Sequence, residues 1–217
     1  MRIKYPILAL YFMFTYMIGK GQKNINFTQQ LTFEYQKDGQ KGEFSVFLEP
    51  KTSTWLLEKN ETFAGKIDDI DYWILQPDGK ITILGTTENG KKIKFIYKNS
   101  LVLKSKTEIS GKKTKNSKFF GKNNYGWQTL QGEQYLLDVG KGASNIYLSK
   151  VSFDCRPLLA YNFSLDVENY LPAFYSIDYP SFIPKNYLVV EETNKSDYCR
   201  LKFISPTEYS IDLGSYK

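Results

Sequence analysis

Tyr72-Trp73-Ile74-Leu75, Pro77-Asp78-Gly79-Lys80, Ile81-Thr82-Ile83-Leu84, Glu88-Asn89-Gly90-Lys91, Ile93-Lys94-Phe95-Ile96-Tyr97: in this order, apolar strand-forming segments alternate with turn residues. Proline presets φ for the second position of a turn, and Asp-Gly and Asn-Gly supply the left-handed positions that β-hairpins need. The stretch therefore predicts a three-stranded antiparallel meander. In its third strand Ile93, Phe95 and Tyr97 fall on one face, with Lys92, Lys94 and Lys98 largely on the other, the mark of a half-wet strand. The first two strands are apolar on both faces, so the second face needs a cover: another layer, a helix or a ligand.

The same local logic extends outward from the meander. Phe27, Gln29, Leu31, Phe33 and Tyr35 alternate with polar residues as a half-buried strand. Asp38-Gly39 and Gly42 turn it into Phe44 to Leu48, and Trp55-Leu56-Leu57 follows. Leu101-Val102-Leu103 reads as a further strand, then Gln134 to Leu137 and Asn145 to Leu148. Val151, Phe153 and Cys155 alternate like another strand, and Pro157 opens a short helix carrying Leu158, Tyr161 and Leu165. Tyr187 to Val190 and Tyr198 to Ile204 form a closing hairpin, and Tyr209 to Leu213 a short edge strand. The expected fold is mainly β, a curved antiparallel sheet with at most short helices; a β-sandwich is the alternative.

Arg2 and Lys4 precede an uncharged apolar run from Tyr5 to Ile18, followed by Gly19 and Gly21. This is the pattern of a secretory signal peptide over residues 1–21, with an apolar core shorter than the roughly 20 residues that span a bilayer. The expectation is an exported protein, periplasmic or extracellular, with residues 22–217 as one β-rich domain and no transmembrane span. Arg2, Lys4 and Lys20 are three of the 29 basic residues and this leader contains no acid, so its removal lowers the net charge from +6 to +3. After Arg2 the only arginines are Arg156 and Arg200, which argues against nucleic acid, since arginine reads phosphates and base edges bidentately.

The chain has no histidine. That removes the usual general base, the usual triads and the histidine-containing zinc sites, so no catalytic residue, metal or cofactor is assigned. Asp68, Asp69 and Asp71 lack the spacing of a calcium loop and read as strand-entry acids; a histidine-independent hydrolase would draw on Asp69 and Asp71. Cys155 and Cys199 both sit on apolar rows. In an oxidising compartment they are most simply a disulfide, worth about 3–4 kcal/mol if unstrained, with two buried thiols as the other reading. Lys112, Lys113, Lys115 and Lys118, with Phe119-Phe120, belong to a lysine-rich polar stretch from Lys104 to Lys122 that reads as a loop or hairpin tip, either merely solvated or meeting an anionic surface or partner. Sequons stand at Asn26, Asn60, Asn162 and Asn194.

The leader, the long run of meandering strands, the Asn169-Tyr170-Leu171-Pro172 segment and the ending Tyr209-Ser210-Ile211-Asp212-Leu213 together resemble the bacterial lipoprotein-carrier-like half-barrel proteins, a fold that many exported Bacteroidetes proteins also resemble. The resemblance implies an open, strongly curved sheet around helices and loops, with an apolar cavity for acyl chains. On that reading the protein is a non-enzymatic carrier of a lipid or other apolar small molecule, with Trp55, Trp73, Phe95 and Tyr97 lining the concave face. The competing reading is an extracytoplasmic protein-interaction module whose two-sided apolar strands pack into its own core.

Overall fold

A computed structural model describes residues 24–37, 39–58, 70–104, 106–121, 129–138, 143–160, 178–194 and 196–217. The leader, Asp68 and Asp69, the sequons at Asn60 and Asn162, the helical positions Tyr161 and Leu165, and the Asn169 to Pro172 segment lie outside them. The described residues form one open antiparallel sheet of 11 strands. Its strands are β1 (Asn24–Lys37), β2 (Gln40–Glu49), β3 (Thr54–Glu58), β4 (Ile70–Leu75), β5 (Lys80–Thr86), β6 (Lys92–Lys98), β7 (Gly111–Phe120), β8 (Leu130–Asp138), β9 (Ala143–Lys150), β10 (Tyr187–Asn194) and β11 (Asp197–Asp212). The order across the sheet is β6-β5-β4-β3-β2-β1-β11-β10-β9-β8-β7. Two meanders are therefore joined where the first strand pairs with the last, and β6 and β7 are the two edges.

The meander of β4 to β6 is as the turn chemistry requires. Gly79 and Gly90 both hold positive φ, and their amides close the turns onto Gln76 and Thr87 at 3.0 and 2.8 Å. At Gly79 a side chain is excluded twice over, because a Cβ there would stand 2.4 Å from the Asn99 carbonyl oxygen.

The sheet curls around one main core. Leu31, Phe33, Val46, Leu48, Trp55, Leu57, Trp73 and Leu75 from one half meet Phe120, Leu137, Ile146, Leu148, Val190, Cys199 and Leu201 from the other. In the second half the curl brings Lys118 of β7 to Glu191 of β10 across two intervening strands at 2.6 Å. The interior is filled by chain running between strands: residues 151–160, with the one-turn helix α1 (Arg156–Leu159), and the 3₁₀ turn Tyr179–Ser181. Phe153, Leu158, Leu159, Tyr179 and Ile183 are all buried there. Backbone bonds from Val151 and Cys155 to Asn186 and Lys185, at 2.9 and 2.7 Å, tie the two segments together.

A second, smaller cluster explains why β4 and β5 are apolar on both faces. Phe47, Leu56, Ile74 and Leu84 point away from the main core and are covered by Phe27, Ile211 and Tyr216. The cover is the far end of the β1–β11 ribbon. Tyr209 stacks on Phe47 at 4.6 Å between ring centroids, and its hydroxyl donates to the Glu58 carboxylate and lies 3.3 Å from the Tyr72 hydroxyl. An extra residue on β11 opposite the Phe27/Gln29 step bends the ribbon there, as bulges do.

Four local expectations are corrected. Val151, Phe153 and Cys155 belong to an irregular interior segment between β9 and α1, not to a strand. Leu101-Val102-Leu103 is a 3₁₀ turn, Ser100–Leu103, not a strand; it follows Asn99, whose amide bonds the Gly79 carbonyl at 2.7 Å and ends the meander. The lysine-rich stretch contains a ten-residue edge strand, β7. Pairing with β8 on one side only, it buries little beyond Phe120 and so carries no apolar alternation. Finally, Tyr209 to Leu213 is no separate edge strand: residues through Asp212 continue β11 and pair with β1 in the middle of the sheet.

Candidate functional site

The four aromatic candidates share one face of the sheet. Leu57 pairs with Trp73, Trp73 with Ile83 and Ile83 with Phe95, while Trp55 pairs with Leu75, Leu75 with Ile81 and Ile81 with Tyr97. Paired residues lie on the same side, so the two rows run side by side toward β6. Their surroundings then diverge. Trp55 is wholly buried, edge-on to Phe153 at 5.6 Å between centroids, and its indole N–H donates to the Asp154 carbonyl at 2.9 Å. Trp73 is buried beside it. Phe95 and Tyr97 are 59% and 47% exposed, because the filled interior stops short of the edge.

Between them, Ile96 points to the opposite face and is 64% exposed. Three consecutive large apolar side chains are thus wet on a strand that has a neighbour on one side only. Its open side is partly occupied. The Lys94 amide donates to the Lys217 carbonyl at 3.0 Å, and the Lys217 amide approaches the Lys92 carbonyl at 3.5 Å. Lys92 and Lys94 therefore turn their backbone groups outward. The β5–β6 register is unbroken from Lys80/Lys98 to Thr86/Lys92, so by alternation Ile96 and Lys98 turn theirs outward as well.

The lysine and aromatic group of β7 is divided by the strand's pleat. Lys118 lies over the Phe120 and Tyr147 rings, 5.0 and 4.4 Å from their centroids, in addition to pairing with Glu191. Phe120 is buried against Gly132, where a Cβ would meet its ring at 2.5 Å. Lys113 pairs with Glu133 at 2.6 Å. Lys112, Lys115 and Phe119 remain exposed. A register break between Lys113 and Ser117 interrupts this edge, and bulges and lysines are the means by which sheets blunt an edge against pairing.

Cys155 and Cys199 are free thiols, which corrects the disulfide expectation. Both are buried as expected, but in different elements. Cys155 precedes α1 in the interior segment, with its amide held by Lys185, whereas Cys199 lies within β11 opposite Tyr35 and Glu192. Burial, and secondarily the nearby carboxylates of Asp154 and Glu192, raises both thiols well above their ordinary pKa. An unfolded chain loses these protons near about pH 8.5 while the folded chain keeps them. Above that pH the native state binds more protons and stability falls. Urea midpoints should accordingly drop less between about pH 8 and about pH 10 in Cys155→Ala/Cys199→Ala than in the wild type; equal drops would contradict this burial.

Asp71 accepts from the Thr86 hydroxyl at 2.7 Å, a cross-strand structural bond. One feature has no counterpart in the sequence reading: a surface groove of about 430 Å³ whose lining includes Gln30, Thr32, Glu43, Ser45, Glu58 and Phe203. Its polar residues belong to strands that alternate in the ordinary way.

No family model and no curated protein matches the chain. Among solved structures it is similar to PNGF-II in the C2 space group, with a TM-score of 0.46 and 12% identity over 88% of this chain; the chain spans 30% of that protein's length. It is also similar to a DUF1329 family protein from Desulfovibrio piger ATCC 29098, with a TM-score of 0.17 and 11% identity, covering 94% of this chain and 92% of that one. Likenesses this distant leave function to be argued from the site.

Proposed function

We propose that this protein is an exported, non-enzymatic binding protein that engages a partner polypeptide along β6. The observation that carries the reading is the wet Phe95-Ile96-Tyr97 triplet on an edge strand. Burying a large apolar side chain is worth about 1.5–3 kcal/mol, and an open apolar edge invites unwanted pairing, so this surface is costly unless used. Export rests on the pattern from Arg2 to Gly21. The carrier reading is weaker at the concave face, because Trp55 and Trp73 are committed to packing there and a bound lipid would have to displace them or the 151–160 segment.

A photo-crosslinking phenylalanine analogue in place of Tyr97, expressed in the native host, should give a discrete protein adduct. The same analogue in place of Phe119, on the opposite edge and also exposed, should not. Equal adducts from both positions, or none from position 97, would end the reading.

A further inference from the structure

The chemistry of the β6 edge also specifies its occupant, provided that the edge is the docking surface. The Lys94 amide is held by Lys217, so the outward amides open to a partner are those of Ile96 and Lys98, within the stretch Lys94-Phe95-Ile96-Tyr97-Lys98. Lys94, Ile96 and Lys98 share the outer face and Phe95 and Tyr97 the inner one. Residues opposite one another on paired strands share a face, and opposite charges there stabilise while like charges destabilise. Among the described residues neither Lys94 nor Lys98 has a carboxylate partner, since the six ion pairs lie elsewhere. Lys80, which pairs with Lys98, adds to the positive field.

A second copy of the chain paired in the same register meets like charge. Antiparallel pairing centred on Ile96 would set Lys94 directly opposite Lys98 at both ends of the contact. We infer that β6 accepts an extended segment of a partner protein with the pattern acid, three apolar residues, acid. The two acids meet Lys94 and Lys98, the outer apolar residues meet Phe95 and Tyr97, and the central residue exchanges backbone hydrogen bonds with Ile96. The addition is antiparallel, because only then does the residue opposite Ile96 exchange both backbone hydrogen bonds with it. Main-chain bonds supply the affinity and the alternating side chains the selectivity, the logic of β-strand addition.

The test uses fluorescein-labelled Gly-Glu-Val-Val-Val-Glu-Gly against the intact protein, with two controls: the peptide with both Glu replaced by Lys, and the Glu peptide N-methylated at its central Val. The inference expects the Glu peptide to bind at least tenfold tighter than either control, with the preference reversed in Lys94→Glu/Lys98→Glu, whose folding is checked by its melting curve. Equal affinity for the Glu and Lys peptides, equal affinity for the methylated one, or no binding at all would overturn the acidic-strand inference. Amide resonances separate this from failure of the edge itself: peptide binding that shifts residues elsewhere and leaves residues 94–98 unmoved sinks the docking surface along with its proposed occupant.

Discussion

Trp55→Ala should destabilise the protein by about 3–5 kcal/mol, the range for truncating a large buried aromatic, and leave peptide binding at β6 untouched. The size follows from position. Trp55 is wholly buried, packs edge-on against Phe153 and donates to the Asp154 carbonyl, so its loss opens a cavity where β3 meets the interior segment and orphans a backbone acceptor. Against a typical total of about 5–15 kcal/mol, this is a large share. Urea unfolding of the two proteins measures it. A cost below about 1 kcal/mol, together with reduced uptake of an apolar fluorescent probe, would instead place Trp55 in a ligand cavity and revive the carrier reading.

Phe27→Ala should cost a similar amount, about 3–5 kcal/mol, although Phe27 lies outside the main core. It is fully buried in the smaller cluster with Phe47, Leu56, Ile74 and Leu84. It therefore helps to hold the β1–β11 ribbon over the outer face of β3 to β5. Losing it should also speed exchange of the amides of residues 206–212 selectively. A near-neutral result would mean that the ribbon contributes little cover and that the second apolar face is closed by something else.

The meander was legible because its signals are local. Gly79 and Gly90, the second residues of Asp-Gly and Asn-Gly, hold the positive φ that the turns need, and strand alternation put Ile93, Phe95 and Tyr97 on one face, as the β5–β6 register has them. What the sequence could not show is how far the interior filling extends along that face, which alone separates the buried Trp pair from the wet Phe95 and Tyr97. Apolarity on both faces of β4 and β5 signalled a second cover, but the cover comes from the distant residues Phe27, Ile211 and Tyr216, which no local pattern links to Ile74. β7 was read as loop because an edge strand paired on one side needs no apolar period. The cysteines were correctly read as core-facing; which of two core thiols meet depends on the path of the 151–160 segment, and that is set by tertiary contacts of Trp55 and Lys185.

The central claim is that the protein covers both faces of β3 to β5 with its own chain and leaves the β6 edge usable. Hydrogen exchange of the free protein, resolved to single amides, tests it most directly. Amides of β4 at Trp73 and Leu75 should be among the most protected, and those of Ile96 and Lys98 should exchange orders of magnitude faster although they lie in a regular strand. Protection of Ile96 and Lys98 equal to that of β4 would mean that the edge is already closed, and the account would be contradicted.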